Sequence, residues 1–190
     1  MAAGSLKLFL ATGNPHKVEE LRAAMPGFEI EAFAAPDPPP EDGATYFENA
    51  RIKARHARLH APADTWVVGE DSGIEAAALG GRPGIESARW AGDGVAALLE
   101  ALATETDRRV RYVSELVAIS PDGEELCGTG TLDGVAADSP SGSEGFGYDP
   151  IFIPRGETRT VAQLGDVWKS EHSHRALAAR ALAARLMPDR

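Results

Sequence analysis

VRYVSELVAISPDGEELCGTGTLDGV, from Val110 to Val135, decides the fold class. Val110 to Ile119 is a long apolar run rich in β-formers, and a second run extends from about Glu124 to Val135. Between them Pro121-Asp122-Gly123 supplies turn chemistry: proline presets φ, aspartate bonds its own backbone and glycine tolerates positive φ. Two such runs around so short a turn predict an antiparallel hairpin. Outward from the hairpin the pattern changes. Lys7 to Ala11 predicts a first strand, followed by a turn at Thr12-Gly13-Asn14-Pro15 and a helix carrying Val18, Leu21 and Met25 at helical spacing. Thr45-Tyr46-Phe47-Glu48 has the pattern of a capping box, which opens a helix with Phe47, Ala50, Ala54 and Ala57 as its buried stripe. Thr65 to Gly69 predicts a strand ending at Glu70-Asp71-Ser72-Gly73. A third helix carries Val95, Leu98, Leu99 and Leu102, and a C-terminal helix begins near Ser173 with Leu177, Ala181 and Ala184 on one face. Helices mixed with strands, one pair of them a hairpin, give an α/β class with a mixed sheet.

The segments between these elements carry their own signals. Pro36, Pro38, Pro39 and Pro40 make Ala34 to Gly43 a loop. Gly80, Gly81, Pro83 and Gly84 mark a second irregular stretch, and Ser139 to Gly147 a third. Met187 to Arg190 is expected to fray. With 190 residues, no internal repeat and no long linker, residues 1–190 are expected to form a single domain.

Charge narrows the function. Nineteen Lys and Arg against 29 Asp and Glu leave −10, so the chain lacks the basic surface that nucleic acids and anionic membranes require. A small polyanion remains accessible where a few cations and a metal ion converge. Cys127 is the one cysteine, which excludes a disulfide framework and a Cys-rich zinc site. No apolar run approaches the ~20 residues of a membrane span. The expectation is a soluble, cytoplasmic protein with neither nucleic-acid nor membrane partners.

Only Lys7, Lys17, Lys53 and Lys169 are lysines; the other basic residues are arginines. A lysine is a compact point charge suited to phosphate, although solvated surface lysines are equally compatible with the spacing. Thr12-Gly13-Asn14-Pro15-His16-Lys17 lies between a strand and a helix, where backbone N–H groups attract anions. It lacks the second glycine and the Lys-Ser/Thr pair of a Walker A loop. Asn49 and Lys53, four apart, share one helix face. His56 and His60 have the same spacing, but Ala57 stands where a metalloprotease needs Glu and no third ligand is evident. Glu70-Asp71-Ser72-Gly73 places carboxylates beyond a strand, where ligands gather and a hard cation finds oxygen. Successive strand residues face opposite ways, so Glu70 and Asp71 need not serve one ion. Glu41-Asp42 is a second acidic source.

Phe146 between Gly145 and Gly147, followed by Tyr148-Asp149, can offer a ring to stack on a purine and a carboxylate to read base N–H groups. Alternatively it is a strand start with a buried ring. Lys169 and Ser173-His174-Arg175 place cations around a helix start. A Ser173–His174 nucleophile and base are discounted, because adjacent helical residues do not face each other.

The segments LATGNPHKVEEL, EDGATYFENARIKA, EDSGIEAAALGGRPGIESARWAG, GFGYDPIF and KSEHSHRAL occur in one order from Leu10 to Leu177. In this the chain resembles the ITP/XTP pyrophosphatase family, the inosine triphosphatases. The resemblance implies an elongated mixed sheet flanked by helices, two lobes with a central cleft, and a homodimer. It implies Mg²⁺-dependent hydrolysis of the purine nucleoside triphosphates ITP, dITP and XTP to monophosphate and pyrophosphate, which cleanses the nucleotide pool. By motif, Thr12, Gly13, Asn14, Pro15, His16, Lys17 and Lys53 would hold the triphosphate. Asp71 would accept the proton and bind metal, with Glu41 the second metal candidate, and Ser72 would touch substrate. Phe146, Gly147, Tyr148 and Asp149 would hold the base, and Lys169, His174 and Arg175 would close over base and phosphate. Glu70, Glu86 and Gln163 stand where many relatives carry Asp, Tyr and Glu, which leaves the role of Glu70 open. Two other readings are set beside this one: a related pyrophosphatase for modified pyrimidine nucleotides, and a non-catalytic nucleotide-binding module.

Overall fold

A computed structural model describes residues 5–187. The chain runs β1 (Leu6–Ala11), α1 (Pro15–Ala24), β2 (Phe28–Ala32), α2 (Tyr46–His60), β3 (Trp66–Ala76), α3 (Gly94–Ala101), β4 (Arg109–Ile119), β5 (Glu125–Ala136), β6 (Phe152–Pro154), α4 (Val161–His172) and α5 (His174–Leu186). The six strands form one sheet in the order β2-β1-β3-β4-β5-β6. β1 pairs in parallel with β2 and β3, whereas β3-β4, β4-β5 and β5-β6 are antiparallel. The fold is α/β with a mixed sheet, as the sequence predicts.

The hairpin forms as read, with Ile119 opposite Glu125 and Gly123 at φ 89° in the turn. The proline segment and the Ser139–Gly147 stretch have no regular structure. The Gly80–Gly84 region holds two single turns of 3₁₀ helix, Ala77–Leu79 and Gly84–Glu86.

β3 departs from expectation. It does not end at Gly69 but continues to Ala76, so Glu70-Asp71-Ser72-Gly73 lies within a strand. Turn-like composition is overridden because β4 supplies an unbroken ladder from Val67↔Ile119 to Ala76↔Val110. Three elements lie outside the sequence reading. β2 is a five-residue edge strand, β6 spans three residues, and α4 contains Gly165 at φ 85°, a kink inside its span.

Strand alternation sends Val68 to one face of the sheet and Val67 to the other. Val68, Leu8, Leu10 and Leu116 pack with Val18 and Leu21 of α1 and Ala178, Ala179 and Leu182 of α5. Val67, Val117 and Ile119 pack with Ala50, Ala54 and Ala57 of α2. A third cluster joins Ile74, Leu98, Leu102, Tyr112 and Phe152. Each large aliphatic side chain buried in this way contributes roughly 1.5–3 kcal/mol.

Two helix faces are corrected. Phe47 is 37% exposed, and Tyr46, one residue earlier, is buried instead. On α5 the Leu177-Ala181-Ala184 face points outward, and Ala178, Ala179 and Leu182 point inward. The cause is close approach. A Cβ at Gly130 of β5 would sit 2.0 Å from the His174 carbonyl oxygen, so the first turns of α5 lie directly against the strand with small residues facing it. Gly69 does the same for α2, with a Cβ there 2.0 Å from the Ala50 carbonyl oxygen. Of the expected frayed tail, Met187 is the C-cap of α5, and residues 188–190 lie outside the described residues.

Candidate active site

The parallel strand β1 ends opposite Gly69, where the chain leaves for α1. β2 lies on one side of β1 and β3 on the other, so the carboxyl end of β1 is a switch point of the kind at which α/β sheets hold ligands. β3 continues past it and carries Glu70, Asp71 and Ser72 into that space. Thr12 Oγ1 accepts from Asn14 N at 3.1 Å, and Asn14 caps α1 by accepting from His16 N at 3.0 Å. Pro15 takes the first helical position, where its missing N–H costs nothing.

Asp71 faces α2. Lys53 Nζ donates to Asp71 Oδ1 at 2.9 Å, and Asn49 Nδ2 to Asp71 Oδ2 at 3.2 Å. The shared helix face of Asn49 and Lys53 therefore converges on one carboxylate. Lys53 also meets Glu41 Oε1 at 2.9 Å and donates to the Glu70 carbonyl oxygen at 3.2 Å. Arg89 Nη1 donates to the other Glu41 oxygen at 3.1 Å. Asp71 is only 5% exposed. Burial holds its carboxyl above the ordinary range, and Lys53 and Asn49 offset this only in part. At Glu41 the effect of burial is outweighed by Lys53 and Arg89, which hold its carboxyl low.

Glu70 faces α1 and α5. Its Oε2 meets the Lys17 ammonium at 2.5 Å, a charge contact without a directional hydrogen bond. Its Oε1 accepts from Arg175 Nε at 3.1 Å and from Ser114 Oγ at 3.3 Å. Burial raises a carboxyl pKa, but Lys17 and Arg175 outweigh it and hold Glu70 far below the usual range. Arg175 also donates to Ser72 Oγ at 2.9 Å and to Glu20. Glu20 pairs in turn with Lys169, which donates to Asp149 Oδ2 at 2.7 Å. Asp149 accepts from Phe146 N at 2.8 Å and Tyr112 Oη at 3.1 Å. The result is an alternating row of charges: Lys17, Glu70, Arg175, Glu20, Lys169, Asp149. His174 stacks on Tyr112 with ring centroids 4.4 Å apart, and its Nδ1 is buried without a partner. Burial, reinforced by the Arg175 charge, pushes its pKa well below 6.5 and keeps the imidazole neutral.

Two adjoining cavities open along this row. One, of about 470 Å³, is lined by Thr12, Gly13, Glu41, Lys53 and Glu70. The other, of about 210 Å³, is lined by Ser72, Phe146 to Asp149, Lys169, His174 and Arg175. Asn14, Lys17 and Ala88 border both. Most sequence-predicted residues therefore meet here. Pro15 lines neither cavity, and His16 stacks on Phe146 with centroids 5.3 Å apart. Asp71 lines neither and meets the first through Lys53. Asp149 has its oxygens engaged by Lys169, Phe146 N and Tyr112, so it anchors the Gly145–Gly147 loop. Lys169 lies 4.6 Å from the Phe146 centroid, which places it with the aromatic cavity.

Sequence reasoning missed Glu20 and Tyr112. Glu20 had one available signal: it lies three residues after Lys17 and so shares its helix face.

Among the described residues no three His, Cys, Asp or Glu side chains form a ready metal cage. His56 and His60 lie against each other, but His56 Nε2 meets the Pro36 carbonyl. Two carboxylates, Asp71 and Glu41, and the Glu70 carbonyl do converge on one cationic point. That all-oxygen set fits a hard divalent ion that takes its remaining ligands from water and phosphate.

A model of the Ham1 family matches residues 8–185, and the chain belongs to that family. It is 39% identical over 195 residues to the dITP/XTP pyrophosphatase of Bdellovibrio bacteriovorus, covering 95% of this chain and 98% of that protein. It is 43% identical over 197 residues to the dITP/XTP pyrophosphatase of an Exiguobacterium species, covering 96% and 98%. The solved Ham1 protein of Staphylococcus aureus superposes with a TM-score of 0.81 at 34% identity, covering 97% of this chain and all of that one. No helix among the described residues is long and apolar enough to cross a membrane.

Proposed function

We infer that the protein is a nucleoside-triphosphate pyrophosphatase that hydrolyses the deaminated purine nucleotides ITP, dITP and XTP to monophosphate and pyrophosphate. One observation carries the reading. A lysine-bordered cavity with two carboxylates adjoins an aromatic cavity with buried donors, and Asn14 and Lys17 border both. That arrangement suits a polyphosphate at one end and a flat base at the other. The curated relatives, named for the same reaction, agree with it.

In this reading the α1 N-terminus and Lys17 hold the polyphosphate, with the helix dipole adding to the lysine charge. Asp71 accepts the proton of the attacking water, a role in which its position counts for more than its basicity. Mg²⁺, held by Asp71 and Glu41, would polarise phosphoryl oxygens and lower the pKa of a bound water. Lys17 and Lys53 stabilise charge on the phosphate oxygens, so stabilisation of the transition state is mainly electrostatic. Glu70 is engaged by Lys17 and Arg175 and serves as their counter-charge.

Phe146 and Tyr148 enclose the base. Arg175 has five N–H donors and commits one each from Nε, Nη1 and Nη2 to Glu70, Glu20 and Ser72. The remaining two are available to a 6-oxo group, whereas the 6-amino group of adenine would set donor against donor. We take the chain to work as one two-lobed domain in a cytoplasmic homodimer.

The test is release of pyrophosphate and orthophosphate with Mg²⁺ from ITP, dITP, XTP, ATP, GTP and dTTP in parallel. Pyrophosphate from the first three and little from the rest is expected. Orthophosphate instead moves cleavage to the terminal phosphate and sinks the mechanism. Arg175→Ala should lose activity on ITP or gain it on ATP; a variant that does neither removes Arg175 from base selection.

A further inference from the structure

The Lys53 ammonium has three N–H donors and no more. It faces three oxygens: Asp71 Oδ1 at 2.9 Å, Glu41 Oε1 at 2.9 Å and the Glu70 carbonyl at 3.2 Å. The Asp71 oxygen and the Glu70 carbonyl accept hydrogen bonds from it and Glu41 is held as an ion pair, so its charge is committed within the protein and not to a phosphate. Yet Lys53 lines the same cavity as Lys17, Thr12 and Gly13, where the polyphosphate is read to lie. The lysine cannot hold both sets of oxygens at once. Its present partners are all oxygen, two of them carboxylate, which is the donor set a hard divalent cation prefers. Without a cation at that point, the buried Asp71 carboxylate and the half-buried Glu41 carboxylate would share the site with no counter-charge beyond Arg89 at the outer Glu41 oxygen.

We propose that Lys53 is a placeholder for the divalent cation: its ammonium occupies the cation position between Asp71 and Glu41 until the metal takes those oxygens and releases it to the polyphosphate. This rests on the metal-dependent reading above and adds to Lys53 a role that precedes phosphate binding. One positive charge is exchanged for another at the carboxylates, and the displaced one moves to where the substrate brings negative charge. Cation and triphosphate therefore strengthen each other's binding by the same factor, as linkage requires. The cation alone binds weakly, because it must first displace a lysine that then has no anion to meet.

The experiment is a titration of the full-length protein with Mn²⁺ in the absence of nucleotide, following the free-ion electron paramagnetic resonance signal. Lys53→Met removes the competing charge and is expected to bind Mn²⁺ at least about tenfold more tightly than wild type, within the usual range of coupling between sites. Adding Glu41→Gln to that variant should abolish the gain, which assigns the ion to this point. Its melting temperature should rise with Mn²⁺ more than that of wild type. Should Lys53→Met fail to fold, Lys53→Gln, which keeps a donor without the charge, takes its place. Equal Mn²⁺ affinity in wild type and variant overturns the placeholder and leaves the metal reading standing. No binding to either overturns both, and the nucleotide-cleavage assay still decides the activity independently.

Discussion

Glu70 and Asp71 are neighbours on β3, and the pleat sends their carboxylates to opposite faces of the sheet. Glu70 meets Lys17 and Arg175, and Asp71 meets Lys53 and Asn49. One peptide bond therefore separates two carboxylates of opposite character: Glu70 fully enclosed and held ionised, Asp71 raised toward basicity. Asp71→Asn should lower kcat on ITP by about 10²–10⁴-fold, the range of a general base. Affinity for a non-hydrolysable ITP analogue, measured by calorimetry, should fall far less. A loss of turnover under tenfold would assign the proton to another group.

Glu70 makes a different prediction, on acid stability. Its folded carboxyl lies below the ordinary value near 4.5, so its contribution is complete above that value. The contribution is lost as pH falls below 4.5 toward the folded pKa. Glu70→Gln should be less stable than wild type at neutral pH, and the gap should narrow in acid. Urea midpoints measured from pH 7 to pH 3 test this, and parallel curves would contradict it.

Glu20 joins Lys169 and Arg175 within the enclosed row of charges. Glu20→Gln leaves two buried cations with one carboxylate each, Asp149 and Glu70. A loss of about 3 kcal/mol is expected, the low end for breaking a buried pair, because neither cation is left alone. KM for ITP should rise as well, since both cations border the aromatic cavity. Chemical denaturation gives the first quantity and steady-state kinetics the second. A loss near zero would mean that solvent screens the row.

Gly130 lets α5 lie against β5. Gly130→Ala places a Cβ 2.0 Å from the His174 carbonyl oxygen and 2.4 Å from Ala178 N, both backbone atoms. Overpacking of this kind costs about 1–3 kcal/mol. The displaced atoms belong to the first turns of α5, so KM should rise too. Gly27→Ala, with nothing within 4 Å of the new Cβ, is the control and should shift stability by no more than about 0.5 kcal/mol. Similar midpoints for the two variants would show that α5 yields freely.

Much of this was legible in the sequence for reasons that are local. The i, i+4 spacing of Asn49 and Lys53 places them on one face, and both reach Asp71. Strand alternation separates Glu70 from Asp71 whichever elements cover the sheet. The hairpin follows from its turn. What was not legible depends on contacts remote in sequence. Glu20 is an ordinary helical glutamate until α5 brings Arg175, 155 positions away, against it. Asp149 looks like a free base reader until Lys169 and Tyr112 occupy it. Leu177 looks like the anchor of α5, but glycines on β5 favour alanines there. β3 continues through turn-like residues because β4 pairs with it throughout, a fact that no window around Gly73 contains.

β1 stops opposite Gly69 while β3 goes on to Ala76. Along that overhang β4 pairs with β3 on one side, and on the other only the far end is closed, by a single bridge from Glu75 to Pro83. The room for a ligand is thus a matter of unequal strand lengths. It requires no hollowed core, and the apolar clusters on both faces stay intact. In this architecture the room for a ligand is set by where one strand ends.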